Sequence, residues 1–212
     1  IEMMTSLCKP SFAYRYDPQR RHVIHPWADF DELDTHHYPA YLTGVGRFTN
    51  GYKVFMPTEF MHGLYDQGHG AGLEDFWARY TAHPLFAGGF LWAYSDEAVR
   101  RTDCNGILDS EDYNAPDGIV GPYREKEGSF YSVREIWSPI KIKPLQLTPS
   151  FNGRFLVENR YLFTNLKECS MRYRVLSYPS PLQSRAEGCT VDSGRVNLPA
   201  LEPGETGYAC IA

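Results

Sequence analysis

The sequence predicts an α/β part followed by an all-β part, and three observations predict it. Over the first two thirds of the chain, short apolar runs alternate with helical patterns, the rhythm of parallel βα units. Beyond residue 144 the pattern changes to a period of two with closely spaced turns, as in half-buried antiparallel strands. The residues able to carry chemistry are unevenly shared, since all seven histidines and all four tryptophans precede residue 138. The acidic excess lies there too: 14 Lys+Arg stand against 20 Asp+Glu up to Pro144, and 7 against 6 afterwards.

Taken in order, four runs have the length and content of buried strands: HVIHPW (22–27), LDTHHYP (33–39), KVFMPTEF (53–60) and FAGGFLWAY (86–94). Between the last two, Leu73, Phe76, Trp77 and Tyr80 recur at helical spacing, with Glu74, Asp75 and Arg79 on the other face. That helix should stop at His83-Pro84, because proline disfavours helical geometry in the residue before it. A second helix is expected over 129–136. Three prolines in SPIKIKPLQLTP (138–149) place a boundary there, dividing 1–143 from 144–212. In the tail, Met171, Tyr173 and Val175 alternate with Arg172 and Arg174, predicting a strand over 170–178. Further strands are expected at 154–158, 160–163, 195–198 and 207–211. Together they predict a small, incomplete β-sandwich, since the stretch is short beside a sandwich of roughly 100 residues.

Composition bounds the function. A chain of 212 residues with 42% hydrophobic and 22% charged residues buries a proper core and is not disordered. No apolar run approaches the roughly 20 residues of a membrane span, and the longest, 85–94, is broken by Gly88-Gly89. The start, IEMMTSLCKPSF, shows no basic region followed by an apolar run, so no signal peptide is visible and a soluble chain of undetermined compartment is expected. A net charge of -5 and a pI of 5.8 argue against nucleic acid and anionic membrane as partners. Five scattered cysteines without a CxxC pattern make neither a disulfide framework nor a zinc ribbon.

Each expected strand ends in residues of a functional kind: His25 and Trp27; His36, His37 and Tyr38; Glu59 and His62; Trp92, Asp96 and Glu97. In barrels of alternating strands and helices, catalytic groups gather at the C-terminal ends of strands. Glu59 is the sharpest case. It follows the apolar KVFMPT, where an acid needs partners or a task. An ionised glutamate can attack an anomeric carbon and form a covalent glycosyl intermediate; its structural role would be a salt bridge across the barrel mouth. A metal site drawn from His25, His36, His37, His62 and His69 is disfavoured, because adjacent histidines on a strand point to opposite faces and no HExxH occurs. Gly68, Gly70 and Gly72 precede a helix but lack the lysine of a phosphate loop, so a tight turn explains them better. TDCNGILDSEDYNAPD (102–117) fails the spacing of a calcium loop and reads as a solvated loop. No cofactor and no metal are expected.

Three stretches carry a resemblance. PTEFMHGLYDQGHGAGLEDFWARY, then AGGFLWAYSDEAVRRTD, then DGIVGPYREKEGSFYSVREIWSPI resemble the β-galactosidases of glycoside hydrolase family 2, most strongly over 54–140. The resemblance implies that the first part is the second half of a (β/α)8 barrel and the tail a β-sandwich. It implies a retaining glycosidase acting on terminal β-galactosides or related β-glycosides. Glu59 matches the nucleophile at the end of barrel strand seven, His62 a histidine that contacts the sugar, and Trp92 the aromatic floor at strand eight. In this family a tyrosine after strand six hydrogen-bonds the nucleophile; Tyr41 or Tyr38 matches it, with spacing slightly favouring Tyr41. His37 and His25 either line the pocket or serve structure.

A retaining glycosidase needs a second carboxylate roughly 5–5.5 Å from the nucleophile. The family's acid/base glutamate lies in an Asn-Glu pair on strand four, and none of Glu2, Asp17, Asp29, Asp31, Glu32 and Asp34 stands in such a pair. That residue is therefore expected outside these 212, with the chain a fragment of a larger hydrolase and its isolated turnover weak or nil. The expected partners are a carbohydrate substrate and either the other barrel half or another chain to close the barrel, which a homo-oligomer could supply. The reading from another class is a non-catalytic carbohydrate-binding or structural fragment, which would keep the tryptophans and not require Glu59.

Overall fold

The computed structural model describes residues 15–21, 33–42, 51–62, 71–109, 117–180 and 188–211. The strand expected over 22–27, with His25 and Trp27, lies outside the described residues, as does His69. The chain divides into two compact units, Ile1–Ile136 and Trp137–Ala212.

In the first unit, β1 (Leu33–Asp34) pairs in parallel with β2 (Val54–Phe55). The pairing continues past these short strands as single bridges. Thr58 N donates to His36 O and Tyr38 N to Glu59 O on one side of the 54–62 segment; Ala87 N donates to Phe55 O and Trp92 N to Met61 O on the other. A fourth segment joins through Ala93 N to Asp117 O and Val120 N to Tyr94 O. The order is thus 33–38, 54–62, 86–96, 117–120, with parallel bridges between neighbours.

Parallel neighbours need a crossover, and α1 (Ala71–Thr81) supplies one. Leu73 and Tyr80 are fully buried while Glu74, Asp75 and Arg79 are exposed, as the helical spacing predicts. The Tyr80 ring packs on Phe86, Phe55 and Phe60 with centroids at 5.0, 5.4 and 5.6 Å, seating the helix on the parallel segments. Two glycines permit the close approaches. A Cβ on Gly89 would lie 2.9 Å from Pro57 Cγ, and one on Gly118 would collide with the backbone of Ser95 and Asp96.

The run 86–94 is not the continuous strand expected. Gly88 adopts φ 114, a conformation outside the pleat, and only Phe86 and Trp92 bridge to the neighbouring segment. The described start of the acidic stretch, 102–109, is likewise more ordered than a solvated loop. β3 (Val99–Arg100) pairs antiparallel with β4 (Leu108–Asp109) around left-handed Asn105 and Gly106. Arg101 ties that turn to Asp103 at 2.6 Å and Asp109 at 2.8 Å. The unit ends with α2 (Gly128–Ile136), which buries Ser129 and Val133, one turn apart.

The second unit is a five-stranded antiparallel sheet of β5 (Ile140–Ile142), β6 (Arg154–Asn159), β7 (Met171–Ser177), β8 (Cys189–Asn197) and β9 (Thr206–Ile211), in the order β5-β6-β9-β8-β7. Phe155, Val157, Leu166, Val196, Leu201 and Ala209 form its core. No strand forms over 160–163 among the described residues. The Asn159 side chain stops β6: its Oδ1 accepts from Tyr161 N at 3.0 Å, and its Nδ2 donates to Thr164 O and Leu201 O, both at 2.9 Å. Leu162 and Phe163 are left exposed. Val175, expected inward, is exposed, and the register shifts between Val175 and Leu176.

Candidate active site

The 54–62 segment delivers Glu59 beside the end of the 33–38 segment, where His37 bridges it in parallel. Tyr38 takes a left-handed conformation there, with φ 54, a costly choice for a bulky side chain that clusters at functional sites. Its hydroxyl donates to Glu59 Oε2 at 2.5 Å. The other carboxylate oxygen, Oε1, lies 3.7 Å from His37 Nδ1, which is itself 3.2 Å from Thr58 Oγ1. Burial pushes the Tyr38 phenol well above the usual tyrosine range, and the hydrogen bond to Glu59 and the charges of Glu59 and Asp117 push it further. Tyr38 therefore stays a protonated donor.

His62 stacks on the Tyr38 ring, with centroids 4.8 Å apart and planes at 13°, while His37 meets the same ring edge-on at 4.6 Å. His62 Nδ1 lies 3.3 Å from Asp117 Oδ2. Trp92 bridges to His62 in parallel and keeps 37% of its surface exposed. The Trp92–Ala93 peptide is cis.

The structure thus brings Glu59, Tyr38, His37, His62 and Trp92 together. Tyr41, which spacing slightly favoured, does not face Glu59. Its ring packs edge-on against Phe76 of α1, with centroids 5.2 Å apart. A left-handed residue at 38 turns the chain earlier than an extended run would.

Asp117 escaped the sequence reading, which placed it at the end of a solvated acidic loop. It is buried at 6% exposure, and its Oδ1 has no hydrogen-bond partner among the described residues. The signal was present in the short apolar stretch GIV immediately after it, which is the fourth parallel segment. Asp96 helps to seat that segment by accepting from Gly118 N at 2.9 Å.

Among the described residues no group of three His, Cys, Asp or Glu could hold a metal ion, and no helix is long and apolar enough to cross a membrane. Gly72 falls within α1, and Gly68 and Gly70 lie outside the described residues. The described residues bring together a carboxylate held by a phenol, two imidazoles and, bridged to the second of these, a partly exposed indole. Such a set can hold a carboxylate in one orientation beside an aromatic side chain.

Residues 155–212 match the family described as beta-galactosidase, domain 4. A beta-galactosidase of Halalkalibacterium halodurans is 26% identical over 175 residues, which is 75% of this chain and 16% of that protein. One of Priestia megaterium is 27% identical over 134 residues, 55% of this chain and 12% of that protein. The chain is thus similar to β-galactosidases, through its tail to one of their domains and over longer stretches to the two whole enzymes. It spans 12% to 16% of the length of these two relatives. Among solved structures, a β-glucuronidase of Bifidobacterium dentium complexed with coumarin-3-O-glucuronide has a TM-score of 0.40 at 21% identity, covering 62% of this chain and 26% of that chain.

Proposed function

We propose that this chain is the nucleophile-bearing part of a retaining glycoside hydrolase acting on terminal β-galactosides. The observation that carries the reading is the 2.5 Å hydrogen bond from Tyr38 to Glu59, with His62 stacked on the same phenol. Glu59 attacks the anomeric carbon, an ester bond forms, and the glycosidic bond breaks. The leaving oxygen takes its proton from a glutamate outside these residues. That same glutamate then removes a proton from water, which displaces Glu59 and releases the sugar with its configuration retained. Tyr38 orients the carboxylate, Trp92 stacks on the apolar face of the sugar, and His62 and His37 bind its hydroxyls.

The parallel order of four segments with a crossover helix supports half of a (β/α)8 barrel as the architecture of the first unit. The match of the tail to a β-galactosidase domain supports a β-sandwich there. Tryptophan fluorescence tests the substrate class. Methyl β-galactoside should quench it saturably and methyl β-glucuronide should not, with the response lost in Trp92→Ala. Equal responses to both sugars, or an unchanged response in Trp92→Ala, would overturn the galactoside reading.

A further inference from the structure

The sheet of the second unit turns one face to its apolar core and carries a cluster of one charge on the other. β7 and β8 place Arg172 directly across from Arg195 and Arg174 directly across from Ser193. Side chains alternate along a strand, so these four project from the face opposite Tyr173 and Val196, which belong to the core side. All three arginines are exposed. Among the described residues none of them pairs with a carboxylate. Asp192, the nearest acid along the strand, is engaged elsewhere: it accepts from the Tyr173 hydroxyl at 3.0 Å and from Ser193 N at 2.8 Å. On the β6 side of the sheet, by contrast, Glu158 sits between Lys143 and Arg160.

Like charges directly opposite on neighbouring strands destabilise a sheet. An Arg172–Arg195 pair with Arg174 beside it is therefore a local liability unless an anion joins it. The cluster also has shape, since Arg172, Tyr173, Arg174, Ser193, Gly194 and Arg195 line an open concavity of about 480 Å3. Guanidinium groups are weakly hydrated forks that match oxyanions bidentately, and the Ser193 hydroxyl adds a neutral donor.

We propose that Arg172, Arg174, Arg195 and Ser193 form a binding site for a tetrahedral oxyanion, a sulfate or phosphate group, either free or carried as an ester. The site lies on the second unit and does not depend on the chemistry assigned to Glu59.

Calorimetric titration of the 212-residue chain at low ionic strength with inorganic sulfate, inorganic phosphate, a galactose sulfate and a galactose phosphate tests it. Saturable binding at one site is expected, weakened about tenfold or more by Arg195→Gln or by Arg172→Gln with Arg174→Gln. Lys141→Gln removes the same charge from the opposite edge strand and should leave the affinity within about twofold. Tighter binding of the esters would assign the group to a sugar, and equal binding would assign the free ion; both retain the site. No saturation with any of the four, or equal weakening by Lys141→Gln, overturns it. Thermal melting gives an independent reading that also verifies folding. Arg195→Gln should melt higher than the wild type without anion, and added anion should raise the wild type more than the variant. The reverse order contradicts the proposal.

Discussion

Tyr38 donates a 2.5 Å hydrogen bond to Glu59 from a left-handed backbone position, with the ring of His62 stacked on its own. One residue thereby spans two neighbouring parallel segments and fixes the direction in which the carboxylate points.

Removing that hydroxyl should slow chemistry at Glu59 without disturbing the fold. A hydrogen bond to a charged group contributes about 1.5–3 kcal/mol, so Tyr38→Phe should slow glycosylation by an activated 2-deoxy-2-fluoro-β-galactoside by roughly 10- to 100-fold. Tyr41→Phe, altered at a ring that packs on Phe76, should leave the rate unchanged. The rate of mass gain in intact protein reads both.

Asp117 holds His62 through Nδ1 at 3.3 Å. Asp117→Ala frees the imidazole and should weaken galactoside binding by about tenfold or more, read as a higher Kd in the fluorescence titration. Unchanged affinity would remove Asp117 from the site.

Tyr80 carries a buried hydroxyl with no hydrogen-bond partner among the described residues. Burial pushes that phenol well above the usual tyrosine range. Tyr80→Phe keeps the ring stack and removes the unpaired group, so stability should hold or rise by about 1 kcal/mol. Because the folded state favours the protonated phenols of Tyr80 and Tyr38, their contribution is fully present below the unfolded value of about 10. It is lost as pH rises above that value. Chemical denaturation of wild type and Tyr80→Phe between neutral and strongly alkaline pH checks both statements, and the variant should decline less.

Glu158 is held down to about 2 by Arg160 and Lys143. A depressed carboxyl stabilises the fold above its unfolded value, so the β5–β6 region should lose stability as pH falls from about 4.3 towards 2. Glu158→Gln should flatten that part of the acid melting curve, and an unchanged curve would show the pair to be screened by solvent.

Much of this arrangement was legible in the sequence where a local period decides it. The burial of Leu73 and Tyr80 follows from helical spacing, and the alternation through Met171 and Tyr173 follows from a period of two. Glu59, His62 and Trp92 stood at the ends of apolar runs, and the structure gathers them. What was not legible depends on single backbone conformations or distant partners. Gly88 breaks the 86–94 run through a φ that its neighbours do not announce. The choice between Tyr38 and Tyr41 turns on a left-handed residue. Asn159 ends β6 through bonds that reach Leu201, 42 positions away. Asp117 takes its meaning from His62, 55 positions earlier, and no window of the sequence contains both.

The most direct test of the central claim is the site of covalent trapping. The chain is incubated with a dinitrophenyl 2-deoxy-2-fluoro-β-galactoside, whose activated leaving group needs little acid assistance, and the product is digested and mapped by mass spectrometry. The account predicts one fluorogalactosyl group, on the peptide carrying Glu59, and none on Glu59→Gln. A label on another carboxylate such as Asp117, a label that persists in Glu59→Gln, or no label on a chain shown by circular dichroism to be folded would contradict it.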